Sequence, residues 1–235
     1  NAYATRRNFK NLRPTKNKFT QKMVNLKNFF NPETIAVLGV SRNPNKVGHV
    51  LYRNLIEGKF PGKIFAVNPE AEEILGRKSF HSIKKIPEKI DLAIISVPAE
   101  IVLKSLSECR QKNVKEVIII SAGFSEVGNK TLEQKVLNFL RKNKMRAIGV
   151  NCLGIYDAYS NLDALFIPRY RLSRPSQGGI SFVCQSGAIG AAILDIAAEK
   201  NHKFSKFISY GNATDIDESD LLEYLGEEKA GKAIE

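Results

Sequence analysis

Residues 34–50, TIAVLGVSRNPNKVGHV, decide the fold of this chain. The apolar run Ile35–Leu38 predicts a buried strand that ends at Gly39, and the segment after Lys46 has the pattern of a helix. A strand, a glycine-containing turn and a helix start bring free backbone amides and the positive end of a helix dipole together, which favours an anion. A plain strand-turn-helix with a solvated basic loop fits this stretch equally well.

The turn in this stretch lacks both common phosphate-binding fingerprints. Gly39 and Gly48 lie too far apart for the GxGxxG motif of dinucleotide-binding proteins, and the sequence contains no GxxxxGK[ST] P-loop. The turn nevertheless offers hydroxyl, amide and cationic donors to an anion, and these are Ser41, Arg42, Asn43 and Lys46.

Length and composition indicate a globular protein. With a prior of about 150 residues per domain, 235 residues favour two domains. No apolar run reaches the roughly 18 residues of a membrane span, so no membrane partner is expected. Cys109, Cys152 and Cys184 are odd in number and lack the spacing of zinc ligands, which argues against a disulfide framework or a metal site. A reducing cytoplasm fits this cysteine usage.

The net charge of +12 is concentrated at the amino terminus. Residues 1–32 contain eight Lys or Arg and no acidic residue, so the remaining 203 residues carry only +4. We therefore expect no nucleic-acid partner and favour a small phosphorylated ligand. Residues 1–27 are predicted to be a basic tail, with Met23 as a candidate natural start and residues 1–22 as an upstream extension, an added segment or, as a rival, an organelle-targeting peptide.

From Phe29 onward, short apolar runs alternate with amphipathic segments. Near-continuous Ile and Val runs predict strands that are covered on both faces, and hence a doubly wound parallel sheet over residues 28–155. The strands after the opening one are Lys63–Val67, Asp91–Val97, Lys115–Ser121 and Met145–Val150, and the helices include 99–112 and 130–143.

Small and polar residues recur where these strands end. In open α/β sheets the ligand binds outside the carboxyl ends of the strands, so these positions are candidate contacts. An NAD site would place a carboxylate after the second strand, but Asn68 and Pro69 stand there and Glu70 comes one step late. The strand ends read Gly39-Val40-Ser41, Val67-Asn68-Pro69, Ser96-Val97-Pro98, Ser121-Ala122-Gly123 and Val150-Asn151-Cys152.

A second α/β unit is predicted after a loop. Residues 156–178 contain two prolines, end at the first residue of the pair Gly178-Gly179 and are interpreted as a linker. Residues 179–235 then predict strand, helix, strand and helix, and stop where another strand would begin. Two strands and two helices do not complete such a domain, so we expect the chain to be truncated.

Taken together, several segments resemble the amino-terminal half of the NDP-forming acyl-CoA synthetases, which include ADP-forming acetate–CoA ligases and are related to the succinyl-CoA synthetase α subunit. The resemblance implies a Rossmann-like CoA-binding domain followed by the start of a flavodoxin-like domain. The segments are FFNPETIAVLGVSRNPNKVG, KIFAVNP, DLAIISVPAE, VIIISAGFSE, GVNCLGI, ISFVCQSGAIGAAILD and FSKFISYGNATDIDESDLLEYL.

The resemblance implies where CoA lies. Its phosphates are expected over the first turn, at Gly39, Ser41, Arg42, Asn43, Lys46 and Gly48. The adenine and ribose end is expected to meet Val67, Asn68, Pro69, Val97 and Pro98. The pantetheine arm is expected to pass Ser121, Ala122 and Gly123 towards Asn151 and Cys152.

The resemblance also implies an acid–thiol ligase that turns acyl-CoA, ADP and phosphate into acid, CoA and ATP through a phosphohistidine. That histidine would lie beyond Glu235, and ADP, ATP and Mg²⁺ would be handled by an ATP-grasp domain or subunit, so this chain alone is expected to be inactive. A helix start would hold the phosphohistidine, at Gln185, Ser186, Gly187 and Ala188. A helix start built from small residues for tight packing is the alternative for these four positions.

Some residues depart from the family pattern or have simpler explanations. Val150 stands where the family commonly has proline, and His49, His81 and His202 match no catalytic context. Cys152 lacks a base beside it in the sequence. The acidic run 215–220 is interpreted as helix capping rather than a metal site.

Two other functions stay open at this stage. The same half could sense acyl-CoA in a protein lysine acyltransferase, or the chain could be an NAD-binding Rossmann protein. The sequence does not identify the acyl group, and it leaves open whether the protein forms a homo- or hetero-oligomer.

Overall fold

A computed structural model describes residues 26–228 and 233–234. Most of the predicted basic tail, including Met23, lies outside these residues. Leu26 is fully buried and helix α1, Lys27–Phe30, buries Phe29 and Phe30. The folded region therefore includes the last two residues of the predicted tail.

The first unit is a seven-stranded sheet flanked by helices. Six of its strands are parallel, and only the short strand Glu73–Ile74 runs antiparallel to its neighbour. The predicted doubly wound α/β fold is confirmed, whereas the hairpin at 73–80 was missed. The strands are β1 Thr34–Leu38, β2 Lys63–Val67, β3 Glu73–Ile74, β4 Arg77–Phe80, β5 Leu92–Ile95, β6 Glu116–Ile119 and β7 Arg146–Gly149, in the order β3-β4-β2-β1-β5-β6-β7. The helices are α2 Val47–Glu57, α3 Ala99–Gln111 and α4 Lys130–Lys142.

Strand β1 shows why its sequence is apolar throughout. Successive side chains of a strand point to opposite faces of the sheet. Ile35 and Val37 join one hydrophobic cluster, whereas Ala36 and Leu38 join the other. Because both faces are buried, no position in the strand interior can be polar without losing its solvation.

The second unit is a five-stranded sheet that starts earlier than predicted. Residues 156–178 were predicted to be a loop, but this segment contains the end of β8 and all of β9, both of which pair antiparallel in the second sheet. The strands are β8 Gly154–Asp157, β9 Leu162–Leu165, β10 Gln177–Cys184, β11 Phe204–Ser209 and β12 Ala233–Ile234, in the order β12-β10-β11-β8-β9. The helices are α5 Gly187–Glu199 and α6 Glu218–Glu227.

Buried acids explain why the sequence pattern hid these two strands. Asp157 in β8 pairs with Lys206 at 2.9 Å, and Asp163 in β9 pairs with Arg169 and Arg174 at 2.6 and 3.0 Å. Each acid interrupts the apolar run by which a buried strand is identified. Lys206 is distant from Asp157 in the chain, and the two arginines lie in the loop after β9. The periodicity within each strand therefore does not reveal these ion pairs.

The segment after β11 ties the second unit to the first. It runs along β7, where the amides of Asn212, Thr214 and Ile216 donate to the carbonyls of Val150, Gly149 and Ala147 at 2.9, 3.1 and 3.1 Å. These bonds cover the edge strand of the seven-stranded sheet, which would otherwise expose unpaired backbone groups.

Charged side chains add to the contact between β7 and the segment after β11, at the start of β7. The Arg146 guanidinium donates to Asp215 at 2.8 Å and to Asp220 at 2.7 Å.

Among the residues that the structure describes, no helix is both long and apolar enough to cross a membrane.

Candidate functional site

The turn after β1 is built on two close backbone approaches. Gly39 has a φ of +89°, and a Cβ there would lie 2.2 Å from the Ser96 carbonyl oxygen. A Cβ on Gly48 would lie 2.1 Å from the Gly39 carbonyl oxygen. Only glycine fits either position, and this brings the first turn of α2 directly against the end of β1.

The loop between Gly39 and α2 is held by its own side chains. The Ser41 hydroxyl accepts from the Asn43 amide at 3.1 Å, and the Asn43 side chain accepts from the Asn45 amide at 2.9 Å. The buried His49 ring bonds through Nδ1 to the Ser41 carbonyl oxygen at 2.7 Å. His49 is therefore a support for the loop, in line with the non-catalytic interpretation.

A cavity of about 640 Å³ opens beside this turn. It lies over the carboxyl ends of β1, β2 and β5 and the first turns of α3. Nine of the predicted CoA contacts line it, and they are Gly39, Ser41, Lys46, Gly48, Val67, Asn68, Pro69, Val97 and Pro98. Arg42 and Asn43 do not line it, and the Arg42 guanidinium donates instead to the Glu70 carbonyl oxygen at 3.4 Å.

Several residues that line this cavity were not among the predicted contacts. Lys104 and Ser105 lie on α3, and His81 follows β4. Helix α3 begins at the carboxyl end of β5, so its first turns necessarily lie at the binding edge of the sheet. That placement was a usable signal for Lys104, whereas His81 required knowledge of the β3–β4 hairpin.

Asn68 is occupied by the loop around it. Its side-chain nitrogen donates to the Val40 carbonyl at 2.6 Å, and its side-chain oxygen accepts from the Glu70 and Ala71 amides at 2.7 and 2.8 Å. A carboxylate at position 68 could not donate to the Val40 carbonyl, so this loop requires an amide there. NAD-binding proteins have an acidic residue at the corresponding position.

A second cavity, of about 720 Å³, adjoins the first at Val47, Ser96 and Val97. It extends under the ends of β6 and β7 to the start of α5, so residues of both units surround it. The predicted contacts that line it, besides Val97, are Ser121, Ala122, Asn151, Cys152, Gln185, Ser186, Gly187 and Ala188. Its lining also includes Leu153, Phe166 and Ile167, which were not among the predicted contacts.

Two side chains in this cavity are engaged with the backbone. The Ser121 hydroxyl donates to the Val97 carbonyl at 2.6 Å, and the Cys152 thiol contacts the Ile119 carbonyl at 3.4 Å. Burial raises the pKa of the Cys152 thiol to about 12. The thiol is therefore neutral near pH 7 and unsuited to nucleophilic attack. The Gly149–Val150 peptide bond that precedes these residues is cis.

The start of α5 faces the far end of the second cavity. Ser186 is its N-cap, and its hydroxyl accepts from the Ile189 amide at 3.3 Å. The first amides of the helix have no partner within the helix, as at any helix start. The arrangement can receive an anion, and the assignment of 185–188 to a phosphoryl group stays a prediction.

Glu126 and Glu133 form a cluster of two carboxylates in the loop after β6 and the start of α4, outside the lining of the second cavity. The predicted contact Gly123 does not line the second cavity, and its amide donates to Glu126 at 2.5 Å. The Asn212 side-chain amide donates to Glu126 at 2.8 Å and to Glu133 at 3.0 Å, and Thr214 donates to Glu133 at 2.8 Å. Burial alone would raise the pKa of Glu133, but its hydrogen bonds outweigh burial and lower it.

The acidic run at 215–220 acts in folding. The Asp217 carboxylate accepts from the amides of Ser219 and Asp220 at 2.9 and 3.2 Å and is the N-cap of α6. The predicted capping role is confirmed for Asp217, and Asp215 and Asp220 bind Arg146.

Comparison with known proteins identifies the two units. Residues 33–158 match the family described as a CoA binding domain, and residues 177–235 match the succinyl-CoA ligase like flavodoxin domain. The α subunit of acetate–CoA ligase (ADP-forming) II from Pyrococcus furiosus is 44% identical over 208 residues, which cover 88% of this chain and 44% of that protein. The ADP-forming acetate–CoA ligase of Methanocaldococcus jannaschii is 45% identical over 203 residues, which cover 86% of this chain and 28% of that protein.

A solved structure shows the same arrangement. The dinucleotide forming acetyl-coenzyme A synthetase 1 of Ca. Korarchaeum cryptofilum, in complex with phosphate and ADP, superposes with a TM-score of 0.83 at 36% identity, covering 88% of this chain and 44% of the other. The chain spans less than half the length of each of these proteins. The chain therefore belongs to the CoA-binding domain family and resembles the amino-terminal, CoA-binding half of the NDP-forming acyl-CoA synthetases.

Proposed function

We propose that CoA binds along the cleft formed by the two adjoining cavities. The observation that carries this proposal is the continuity of the cleft, which runs from the glycine turn after β1 to the start of α5. Such a shape suits a long ligand with phosphates at one end and a narrow arm at the other. Cavities of about 300–1,000 Å³ are the usual size of ligand sites, and each half of the cleft lies in that range.

The phosphates of CoA would lie at the first turn of α2. Because Gly39 and Gly48 have no side chains, the first turn of α2 lies directly against the end of β1. The Lys46 ammonium has no hydrogen-bond or ion-pair partner among the residues that the structure describes. A free cation beside a helix start is suited to a pyrophosphate. Lys104 adds a second cation to the same cavity.

The remaining contacts follow from the direction of the cleft. The adenine and ribose would lie against Val67, Asn68, Pro69, Val97 and Pro98. The pantetheine arm would pass Ser121 and Ala122, with Gly123 behind them, towards Asn151 and Cys152. Arg42 and Asn43 would shield the phosphates from outside the cavity.

For the complete protein we propose the activity of an acid–thiol ligase of the ADP-forming acetate–CoA type. The similarity to such ligases over most of this chain supports it. The helix start at 185–188 would hold a phosphoryl group as an anion. A phosphohistidine, and an ATP-grasp domain or subunit that handles ADP, ATP and Mg²⁺, would come from parts of the enzyme outside this 235-residue chain. We place this activity in the cytoplasm, which the unpaired cysteines support.

Titration calorimetry of the 235-residue chain tests the CoA site. We expect CoA to bind more tightly than NAD, because the end of β2 offers no carboxylate for an adenine ribose. Tighter binding of NAD would overturn the proposal. The isolated chain should show no acyl-CoA-dependent formation of ATP, and turnover by it alone would contradict the expected need for further parts.

A further inference from the structure

The segment after β11 passes directly behind the second cavity. Gly211 lines this cavity and has a φ of +62°, and a Cβ there would lie 2.2 Å from the Val150 carbonyl oxygen. The next residue, Asn212, does not line the cavity. Its side chain lies against the two turns that follow β6 and β7. A segment that returns from the second sheet therefore places one amide side chain between the ends of two strands of the first.

The Asn212 side chain bonds to both of these turns. Its oxygen accepts from the Asn151 side-chain nitrogen at 3.2 Å, on the turn after β7. Its nitrogen donates to Glu126 at 2.8 Å, to Glu133 at 3.0 Å and to the Ser125 hydroxyl at 3.1 Å. Because an ionised carboxylate only accepts, the nitrogen must face the two acids and the oxygen must face Asn151. The position therefore uses both the donor and the acceptor of an amide.

Both turns carry candidate contacts of the pantetheine arm. Glu126 accepts from the Gly123 amide at 2.5 Å and so holds the end of the turn after β6. Asn151 has a left-handed φ of +53°, and its amide donates to the Ser121 carbonyl at 2.9 Å. Ser121 and Asn151 both line the second cavity. The bonds of Asn212 therefore fix the two turns relative to each other.

The contact between β7 and the segment after β11 does not require the Asn212 side chain. That segment is already held by the backbone amides of residues 212, 214 and 216 and by the two ion pairs of Arg146. Asn212 takes part in this contact through its backbone amide, which donates to the Val150 carbonyl at 2.9 Å. What its side chain adds is the connection to the turns of the second cavity.

We propose that Asn212 is a positioning residue for CoA, which holds the turns after β6 and β7 in the arrangement that the pantetheine arm requires. This inference rests on the proposed function. Turns that are ordered before the ligand arrives reduce the entropy cost of binding. The adenosine and the phosphates of CoA would lie in the first cavity, away from these bonds, so their binding should not depend on Asn212.

Titration calorimetry of the 235-residue chain with CoA and with adenosine 3′,5′-bisphosphate tests the inference. The bisphosphate has the adenine, the ribose and two phosphates but lacks the pantetheine arm, so it probes the first cavity alone. Asn212→Ala should weaken CoA binding by about tenfold and bisphosphate binding by less than about twofold. A residue that matters only for stability would weaken both ligands equally. Asn138→Ala, which removes an exposed asparagine of α4, is the matched control and should bind both ligands like the parent chain.

Glu126→Gln tests the same bond from the other side. The glutamine oxygen can still accept from the Gly123 amide, but its side-chain nitrogen cannot accept from Asn212. This variant should show the same selective loss of CoA affinity. Adding Asn212→Ala to it should weaken CoA binding by less than about a further twofold, because both changes break one interaction. Circular dichroism checks that each variant is folded, and Glu126→Gln decides alone if Asn212→Ala is not.

The outcomes separate this inference from the proposed function. A parent chain that binds CoA, with an Asn212→Ala variant whose CoA affinity stays within about twofold of it, would overturn the inference alone. Equal losses for CoA and the bisphosphate, or additive losses in the double variant, would count against it in the same way. A parent chain that does not bind CoA would overturn the proposed function and this inference with it.

Discussion

Replacing Lys46 by alanine should weaken CoA binding by about ten- to a hundredfold. Lys46 is the N-cap residue of α2, is exposed, and lines the first cavity next to the two glycines. A hydrogen bond between a charged donor and a phosphate is worth about 1.5–3 kcal/mol, and each 1.4 kcal/mol is a factor of ten in affinity. Stability should change by less than about 0.5 kcal/mol, because an exposed side chain without a folded-state partner is removed.

The structure separates Lys46 from Arg42. The Arg42 guanidinium lies outside the cavity lining and already contacts the Glu70 carbonyl, so Arg42→Ala should weaken binding by about threefold or less, or ~0.6 kcal/mol. Lys85→Ala, which removes an exposed lysine elsewhere, should bind CoA like the parent chain and is the matched control.

Calorimetry with CoA and dephospho-CoA checks these expectations. A contact between Lys46 and the pyrophosphate predicts that Lys46→Ala weakens both ligands alike. If Arg42 holds the 3′-phosphate instead, its alanine variant should bind both ligands about equally. Unchanged CoA affinity in the Arg42→Ala, Lys46→Ala double variant would refute the assignment of the phosphates to this turn.

Three further predictions concern packing, reactivity and pH. Gly48→Ala should lower the free energy of unfolding by about 1–3 kcal/mol and reduce CoA binding, because the new methyl group would meet the Gly39 carbonyl. Thermal unfolding measures the loss, and Gly226→Ala is the control because a Cβ at that position meets nothing within 4 Å. Iodoacetamide at about pH 8 should modify Cys184 before Cys152, since burial raises the pKa of the Cys152 thiol to about 12, and the reverse order by mass spectrometry would contradict the described environment. Because the fold lowers the pKa of Glu133, ionised Glu133 stabilises the fold above its unfolded pKa of about 4.3, and this stabilisation is lost as pH falls through the folded pKa. Glu133→Gln should therefore lower the free energy of unfolding near pH 7 and make that free energy less dependent on pH in the acidic range. Equal losses at pH 7 and at low pH would argue against this ionised network.

The parts of the fold that sequence predicted well are those with local signals. The apolar run Ile35–Leu38, the glycine at position 39 and the periodicity of 130–143 each depend on near neighbours in the chain, and each matched the structure. The same reasoning located the strand ends, because parallel strands end at one edge of the sheet. Most of the predicted contacts therefore line one continuous cleft.

The parts that sequence missed depend on distant partners. Strand β9 carries Asp163, which a buried strand tolerates because Arg169 and Arg174 reach it from the following loop. Local sequence patterns also do not show whether a side chain is already hydrogen-bonded within the fold. Asn68 was selected as a ligand contact, although its amide is used by Val40, Glu70 and Ala71.

Because residues 212–216 return to β7, the two units are not simply consecutive segments of the chain. The chain leaves the first sheet after β7, forms four strands of the second, returns to line the first, and only then adds β12 to the second. A single protease cut in the 166–176 loop should therefore leave two fragments that stay associated and purify as one particle. A gene truncated at residue 155 would lack the Asp215 and Asp220 partners of Arg146 and would leave the outer side of β7 bare. We therefore expect the smallest stable piece to be longer than the first unit, although the sequence predicts a domain boundary there.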